Sequence, residues 1–294
     1  MIDMNRNKIL AWVTVLIWST LAPIAKVLMK QIPDMEVLFI GAFFAFLFLL
    51  GYNTASGRIR KLKHISFKVI RNMAGLGFLG LFLYSALYYY GIHQLTSQEA
   101  CILNYLWPIM TVLFTSLLLK EKLTTGKILG LLCSFVGIII LSIGSGSSSG
   151  DHIFLGIIAC IVAAASYGLF SALNKKADYD QDITMMILWL TVTVCSGICG
   201  LITRDWVPVS GMTWTGLIWL GVVVNAIAYL LWALAINGTD NTASIANLAF
   251  LVPLLSMIFA VIFLKEPFQF RALIAMIFII GGILLQEYLD HRKY

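Results

Sequence analysis

Polar and aromatic side chains stand in the middle of apolar runs, where they could bind a small molecule. The run ILNYLWPIMTVLF at residues 102–114 carries Asn104, Tyr105, Trp107 and Pro108 in a stretch otherwise suited to lipid. A buried Trp N–H or Tyr O–H needs a hydrogen-bond partner, and membrane hydrocarbon offers none. We therefore expect these side chains to face protein or a wet cavity.

A helical stripe and further central residues extend this set. Within residues 97–119, Ala100, Asn104, Trp107 and Thr111 recur at spacings of three and four, which places them on one helical face. Helix–helix packing through small and polar residues is the alternative explanation for each of them alone. For the whole set we predict a substrate cavity. Its predicted side chains are Trp18, Tyr84, Asn104, Tyr105, Trp107, Thr111, Tyr167, Asn225 and Tyr229.

Two charged residues and two prolines are candidates for gating or coupling. Lys26 ends one segment and Glu99 begins another near the same membrane side, so they could pair as a gate or as a packing contact. Pro108 and Pro253 stand near the midplane, where a proline frees a carbonyl and bends a helix, although neighbouring packing could simply tolerate it. A proton relay is disfavoured because no deeper carboxylate is available.

Catalysis and metal binding have no support in the residue pattern. The four histidines lie at or near segment ends, and the sequence has no HExxH pair or phosphate-binding loop. The five cysteines fall inside apolar segments without metal-ligand or disulfide spacing. We therefore predict a protein that is not an enzyme and has no cofactor or metal. Its expected partners are a small-molecule substrate and the lipid bilayer, without nucleic acid, and a monomer is possible.

The elements that must position these residues are membrane-spanning helices. Of the 294 residues, 60% are apolar or aromatic and 12% are charged, and the mean hydropathy is +0.92, as in an all-α integral membrane protein. Each apolar run is long enough to cross roughly 30 Å of hydrocarbon as a helix. The ten predicted transmembrane helices cover residues 8–29, 35–52, 69–92, 97–119, 124–143, 153–174, 183–203, 213–236, 241–264 and 270–288.

The loop charges predict the orientation, because Lys and Arg near segment ends are retained in the cytoplasm. With the N-terminus inside, fifteen Lys and Arg residues fall on the cytoplasmic side and four on the other, with Lys26 left inside the first segment. We therefore predict both termini in the cytoplasm. The net charge of +6 is explained by topology rather than by nucleic-acid binding.

An internal repeat relates the two halves of the chain. A shift of 145 residues sets residues 103–122 on 248–267, which matches Pro108 with Pro253 and also the Lys-Glu pair that follows each proline. Because each half has five segments, an odd number, the second half must enter the membrane from the opposite side. Such inverted five-helix repeats suit alternating access around one central site. The predicted domains are residues 1–146 and 147–294.

The repeat and these motifs resemble the ten-helix drug/metabolite transporter superfamily, in the branch with the EamA domain, over the whole chain. IWST at 17–20, NYLWP at 104–108 and Asn-Lys at 174–175 are similar to motifs of the aromatic amino acid exporters of bacterial inner membranes. The resemblance implies a basket of ten helices and a central cavity lined by the first, third, fourth, sixth, eighth and ninth segments. Ser166, beside Tyr167, stands where such relatives often have Trp, which implies a larger or more polar cavity.

The resemblance implies export of amino acids such as Phe, Tyr or Trp from a bacterial inner membrane. From the residues alone, an aromatic cavity could hold a planar ring, an aliphatic chain or a cation. The leading hypothesis is a secondary transporter that exports aromatic or other neutral amino acids. The alternative is a transporter, in either direction, of a quaternary amine or cationic drug. A non-transport scaffold or sensor is less favoured, because duplicated inverted halves have little use in one.

Overall fold

The computed structural model describes residues 2–119, 125–142, 152–177, 179–237 and 247–291, and within these ranges the chain is helical without a β-strand. Seven helices in this part are long and apolar enough to cross a membrane, and three shorter apolar helices accompany them. This confirms the prediction of an all-helical membrane protein. The predicted domain boundary after residue 146 lies outside the described residues.

In chain order the α-helices are α1 (Ile2–Ser19), α2 (Leu21–Leu28), α3 (Asp34–Ala55), α4 (Phe67–Gly77), α5 (Tyr84–Gln94), α6 (Ser97–Asn104), α7 (Trp107–Leu119), α8 (Thr125–Ser142), α9 (Ile153–Ala177), α10 (Gln181–Thr203), α11 (Thr213–Ile218), α12 (Ala228–Asn237), α13 (Val252–Leu264) and α14 (Phe270–His291). Shorter helical types join several of them. The 3₁₀ segments are Arg58–His64 and Asn247–Leu251, and the π-helical segments are Phe78–Leu83 and Trp219–Ile227.

Five of the apolar segments change their helical geometry partway along. The backbone turns at Thr20 between α1 and α2 and at 105–106 between α6 and α7. The π segments join α4 to α5 and α11 to α12, and the segment Asn247–Leu251 precedes α13. Irregular backbone at membrane depth is tolerated where it is buried in protein or lines a cavity, and π-bulges are frequent at functional sites. These irregularities therefore indicate where to look for a site.

Helices α8 and α14 cross at close range through small residues. A Cβ added to Gly137 would lie 2.9 Å from the carbonyl oxygen of Ala275, and one added to Gly282 would lie 2.9 Å from that of Gly130. Positions 137 and 282 are related by the 145-residue shift, and so are 130 and 275. The contact is therefore reciprocal, as in an interface around a twofold axis.

The connections between helices gather at two ends of the molecule. One end, called the outer end after the orientation that the loop charges predict, contains residues 29–33, 95–96, 204–212 and 265–269. There the Val207 N–H donates to Glu36 Oε2 at 3.0 Å, and His93 pairs with Asp34 at 3.0 Å.

The opposite end, called the inner end, joins the segment Arg58–His64 to the start of α10. Arg58 pairs with Asp182 at 3.0 Å, and Lys61 forms an ion pair with Asp180. The Lys61 ammonium, hydrogen-bonded to the Asp180 carboxylate, holds the pKa of Asp180 below its usual value. Both pairs are partly exposed, so each contributes little to stability.

Large apolar side chains cover much of the outer surface of the helices. Phe135, Ile198, Leu201, Ile262 and Phe278 are all exposed. Contiguous apolar surface of this kind marks an interaction with lipid or with another protein. Together with the span lengths, it fits a chain surrounded by a bilayer.

Candidate functional site

A cavity of about 100 Å³ lies among the helices whose backbone geometry changes. Six apolar segments contribute to its wall, through α1–α2, α5, α6–α7, α9, α12 and the region around the start of α13. They are the segments that the family resemblance implied. The lining residues are Trp18, Leu21, Ala22, Tyr84, Tyr88, Cys101, Asn104, Tyr105, Trp107, Tyr167, Tyr229, Ala249, Val252 and Ser256.

Four aromatic rings form one wall of the cavity. Tyr167 lies with its ring centroid 5.0 Å from that of Tyr84 and 5.3 Å from that of Trp107, the latter edge to face. Tyr88 stacks on Tyr84 at 5.8 Å. Such offset and edge-to-face pairs are the preferred aromatic geometries, so the rings stabilise one another and leave their remaining faces toward the cavity.

A glycine allows Tyr167 to reach this wall. A Cβ added to Gly168 would lie 2.7 Å from the backbone nitrogen of Thr111 and 2.6 Å from the Cβ of Met110. Helix α9 can therefore approach α7 closely only because residue 168 has no side chain. On the other side of α9, the Ser166 hydroxyl donates to the Leu79 carbonyl at 2.5 Å, within the π segment. The contacts hold α9 between the third and fourth apolar segments.

The opposite wall contains a second aromatic group around Trp18. The ring centroids of Tyr229 and Trp232 each lie 5.2 Å from that of Trp18. Tyr229 is the second residue after one π segment, and its repeat counterpart Tyr84 is the first residue after the other. A π-bulge adds a residue to the helical turn and so changes the direction of the side chains that follow. Both π segments therefore help to aim a tyrosine at the cavity.

Hydrogen bonds orient the polar residues of the wall. Asn104 Nδ2 donates to Tyr84 Oη at 3.1 Å, and the Tyr105 hydroxyl donates to the Ala249 carbonyl at 2.6 Å. The second bond joins residues from the two predicted repeats. In the part of the chain that the structure describes, Trp18 Nε1 and Asn104 Oδ1 are buried and have no hydrogen-bond partner.

The cavity wall carries no formal charge among the residues that the structure describes there. Its polar groups are hydroxyls, a thiol, an amide, two indole N–H groups and backbone atoms. A ligand with net charge would lose its hydration without gaining a counter-ion, which costs far more than burying a neutral molecule. The arrangement therefore favours ligands of zero net charge with an aromatic or apolar part.

Seven of the nine predicted substrate-site residues line this cavity, and two lie elsewhere. The Thr111 hydroxyl donates to the Trp107 carbonyl at 2.8 Å within α7. Ser256, which the 145-residue shift relates to Thr111, lines the cavity instead. The sequence repeat could have suggested Ser256. Two more lining residues are absent from the predicted set. Tyr88 lies one helical turn after Tyr84, and Cys101 lies one turn before Tyr105.

Asn225 lines a second cavity of about 180 Å³ between α3, α10 and α12, toward the inner end. This cavity shares Tyr229 with the first, so that the Tyr229 side chain stands between the two spaces. The wall also includes Asp182, whose carboxylate pairs with Arg58. The two cavities together mark a route from the aromatic cavity toward the inner end.

A larger groove of about 700 Å³ runs between α2 and α11 at the outer end. Its wall includes Val27, Leu28, Met212 and Trp219, and Met212 is 87% exposed. The groove is open and lies on the apolar outer surface of the helices. Because the groove opens onto that surface and does not lie among the central helices, we do not take it as the candidate site.

Glu99 is the centre of a polar network at the outer end. It accepts from the Thr96 N–H at 3.1 Å and from the Thr96 hydroxyl at 3.0 Å in a capping box at the start of α6. Arg271 of α14 donates to it at 2.8 Å. The side chain of Glu99 is 2% exposed and that of Arg271 22%. The pair joins the fourth apolar segment to the tenth.

Further hydrogen bonds in this network also link the two predicted repeats. Glu266 Oε1 accepts from the Ser97 N–H at 3.0 Å, and Gln98 Nε2 donates to the Pro267 carbonyl at 3.0 Å. The Gln269 N–H donates to Gln98 Oε1 at 3.2 Å. The connection between α13 and α14 thus covers the start of α6.

Lys26 holds the outer end of α2 against the corner between α5 and α6. Its ammonium donates to the carbonyls of Ile92, His93 and Leu95 at 2.5, 2.8 and 2.6 Å. These carbonyls belong to the C-terminal turn of α5 and the residue after it, where helix carbonyls lack intrahelical partners. The cation that the structure pairs with Glu99 is Arg271. The side chain of Lys175, which the repeat relates to Lys26, lies outside the described residues.

The two prolines begin helices and do not bend continuous ones. Pro108 is the second residue of α7, and Pro253 is the second residue of α13. In the first turn of a helix a proline costs little, because the missing N–H would have no intrahelical partner. Neither proline is among the cavity-lining residues, so the geometry favours a role in fixing the helix breaks beside the cavity.

No group of three or more His, Cys, Asp and Glu side chains in metal-binding proximity occurs among the described residues.

Comparison with known proteins shows a sequence family over both halves. The EamA-like transporter family matches residues 7–143 and again residues 154–286. The uncharacterized transporter YvbV of Bacillus subtilis is 27% identical over 289 residues, which cover 96% of this chain and 91% of YvbV. A protein named aromatic amino acid exporter YddG, from Ancylobacter novellus, is 24% identical over 223 residues, which cover 74% of this chain and 76% of YddG.

A solved crystal structure has a similar fold. It superposes with a TM-score of 0.68 at 22% sequence identity, over 97% of this chain and 98% of the other. The likeness extends over the full described architecture.

Proposed function

We propose that this chain, which belongs to the EamA-like transporter family, exports aromatic and other neutral amino acids through its aromatic cavity by alternating access. Its family and its named relatives are transporters, so the chain is a multi-pass membrane transporter and not an enzyme. The observation that carries the substrate proposal is a cavity with aromatic walls, a few oriented polar groups and no formal charge on its described wall.

The cavity chemistry supports a neutral substrate with a ring or apolar side chain. The rings of Tyr84, Trp107 and Tyr167 offer faces and edges for stacking. A zwitterionic amino acid brings its two charges as a pair, so the wall needs only dipoles and hydrogen bonds to solvate it. The relative named an aromatic amino acid exporter gives independent, though distant, support.

The cavity volume supports a conformational change during transport. An engineered protein cavity of about 150 Å³ binds benzene, whereas this one has only about 100 Å³. An aromatic amino acid therefore enters only if the wall moves. The polar network around Glu99 joins the two repeats at the outer end, and the second cavity, which Asn225 lines, lies toward the inner end; we propose that these two regions open alternately.

Inverted repeats supply the means for that change in our proposal. The family matches the chain twice, and the contact of Gly137 with residue 275 recurs as that of Gly282 with residue 130. Two halves of opposite orientation can exchange outward-open and inward-open shapes around one central site. The excess of Lys and Arg on one set of loops supports an inner-membrane location with both termini in the cytoplasm.

A quaternary amine is the second candidate substrate. A ligand cation can be held over the faces of Trp and Tyr rings, and the walls contain several within 5–6 Å of one another. The cavity wall has no described carboxylate, which argues against cationic drugs that need a counter-ion. Choline therefore serves as the discriminating compound.

The test is transport by the purified full-length protein in liposomes. We expect counterflow of labelled Phe, Trp, Tyr, Met and Thr to exceed that of empty liposomes, and labelled choline not to. If no amino acid moves faster than in empty liposomes, the amino acid proposal is wrong; uptake of choline alone would select the second candidate.

A pair of tryptophan variants separates the cavity from general packing. Trp107→Ala removes a cavity wall, and we expect at least a tenfold loss of flux with normal protein abundance. Trp214→Ala removes a tryptophan that lies 40% exposed on α11, away from the cavity, and should transport as the wild type does. Equal effects of the two substitutions, or loss of abundance in place of flux, would favour a packing role for Trp107.

A further inference from the structure

We propose that Trp18 Nε1 and Asn104 Oδ1 recognise the two charged ends of a zwitterionic substrate, the indole N–H binding the carboxylate and the amide oxygen binding the ammonium. This inference rests on the proposed function, because it assigns the head group of the amino acid to particular atoms of the same cavity.

The first observation is that both atoms are buried and unpaired. Among the described residues, neither Trp18 Nε1 nor Asn104 Oδ1 has a hydrogen-bond partner. Asn104 is only 9% exposed. Leaving a buried polar group unsatisfied costs about 1–3 kcal/mol, and most buried polar groups in proteins are therefore bonded. The Ser256 hydroxyl is a third such atom in the same cavity wall, and a ligand that pairs with these atoms best explains why they have no protein partner.

The second observation is that neighbouring side chains fix the direction of each atom. Asn104 Nδ2 donates to Tyr84 Oη at 3.1 Å, which fixes the orientation of the amide and hence of its oxygen. Trp18 is held between Tyr229 and Trp232, whose ring centroids are each 5.2 Å away. A preorganised donor and acceptor bind more tightly than mobile ones, because the cost of ordering them is already met in folding.

The chemistry of the pair then defines the ligand. An indole N–H is a donor only, so it can bind a carboxylate and not an ammonium. An amide oxygen is an acceptor only, so it can bind an ammonium and not a carboxylate. Because neither group carries charge, a ligand that lacks one end of the zwitterion would bring an uncompensated ion into the cavity. The cavity thus selects for the zwitterion against both of its singly charged analogues.

The experiment measures binding of three compounds by the full-length protein in detergent, using competition with labelled L-phenylalanine. Phenethylamine lacks the carboxylate, and 3-phenylpropionate lacks the ammonium. We expect the wild type to bind phenylalanine at least tenfold more tightly than either analogue. If the protein binds none of the three, the proposed function fails; if it binds the analogues as tightly as phenylalanine, this inference alone is overturned.

Two variants then assign the ends to their atoms. Trp18→Phe keeps a ring and removes the N–H, so it should bring phenylalanine and phenethylamine within about threefold of each other and leave the discrimination against 3-phenylpropionate. Asn104→Leu should bring phenylalanine and 3-phenylpropionate within about threefold of each other and leave the discrimination against phenethylamine. The matched control Trp214→Phe should preserve both discriminations.

A variant that binds a compound more tightly than the wild type does cannot be explained by poor folding. Asn104→Asp replaces the amide oxygen by a carboxylate of similar shape, and we expect it to bind phenethylamine at least tenfold more tightly than the wild type does. Monodisperse gel filtration checks the folding of each variant. Unchanged discrimination in both Trp18→Phe and Asn104→Leu, or no gain for the cation in Asn104→Asp, would overturn the assignment.

Discussion

Breaking the ion pair between Glu99 and Arg271 should open the outer end of the transporter. The carboxylate is 2% exposed and lies 2.8 Å from Arg271 Nη2. If the pair exists only while the outer end is closed, its loss destabilises the closed conformation selectively. We choose Arg271→Gln, because Glu99 also caps α6 through Thr96 and its replacement would disturb the helix start.

The size of the effect follows from the burial of the two partners. Removing one member of a fully buried pair costs about 3–5 kcal/mol, whereas an exposed pair is worth about 0–1 kcal/mol. Arg271 retains 22% exposure, which places this pair between the limits. A contribution of about 1–2 kcal/mol corresponds to a factor of about 5–30 in the ratio of two states. We expect the outward-open population to rise by that factor.

The sequence of the repeats indicates that this pair has no counterpart at the inner end. The 145-residue shift relates Glu99 to Ser244 and Arg271 to Gly126, neither of which is charged. The inner end has its own pairs, Arg58–Asp182 and Lys61–Asp180, but their side chains are more exposed, so they stabilise closure there less than the buried Glu99–Arg271 pair does at the outer end. The wild type should therefore rest with its outer end closed.

Cys101 provides the assay, because it lines the aromatic cavity and is buried. The other four cysteines are replaced by alanine, namely Cys133, Cys160, Cys195 and Cys199. The rate at which a small membrane-impermeant thiol reagent labels Cys101 from outside intact cells then reports opening of the outer end.

We expect Arg271→Gln to raise the labelling rate about 5–30-fold. Lys61→Gln, which breaks an ion pair at the inner end, should not raise it. An unchanged rate in Arg271→Gln, with Cys101 still reactive after denaturation, would refute the argument that this pair closes the outer end. An equal rise in both variants would indicate general loosening of the fold instead.

Three further substitutions test the packing that supports the site. Gly282→Val should lower the melting temperature and abundance, because a Cβ there would meet the Gly130 carbonyl at 2.9 Å. The control Gly281→Val, where a Cβ would have nothing within 4 Å, should be tolerated. Equal stability of the two variants would contradict the close crossing of α8 and α14. Gly168→Ala should reduce flux more than abundance, because the added carbon pushes α9 away from α7, and full flux would speak against a tight wall. Lys26→Met leaves three carbonyls without their donor and should cost about 1–3 kcal/mol of stability, measured as a lower melting temperature in detergent; an unchanged value would count against the anchoring role of Lys26.

The family, the helical membrane architecture and half of the residues in the cavity wall follow from sequence. Span length and composition are local properties, so the apolar runs could be recognised without tertiary information. Polar and aromatic residues near the centre of a span, such as Trp18, Asn104 and Trp107, have few stable environments other than the protein interior or a cavity. That constraint explains why seven of the nine predicted residues line one cavity.

The direction of individual side chains depended on breaks in the helices that the sequence pattern did not reveal. The predicted stripe from Ala100 to Thr111 assumes one continuous helix, but the backbone turns at 105–106 and changes the phase of α7. Thr111 accordingly bonds to its own helix, and Ser256, at the related position of the second repeat, reaches the cavity. The π segments similarly change the directions in which Asn225 and Tyr229 point.

The sequence by itself determined the number and kind of apolar segments, the repeat and the residue types that a cavity needs, because these depend on composition and on spacing along the chain. Only the tertiary structure decided which residues of the two halves contact one another. Glu99 and Arg271 are 172 residues apart and Tyr105 and Ala249 are 144 apart, and both contacts require the two halves to be packed against each other. Whether a polar atom is satisfied or left for a ligand, as for Trp18 Nε1, is likewise a property of the assembled cavity, since it depends on every neighbour that folding brings within hydrogen-bond distance.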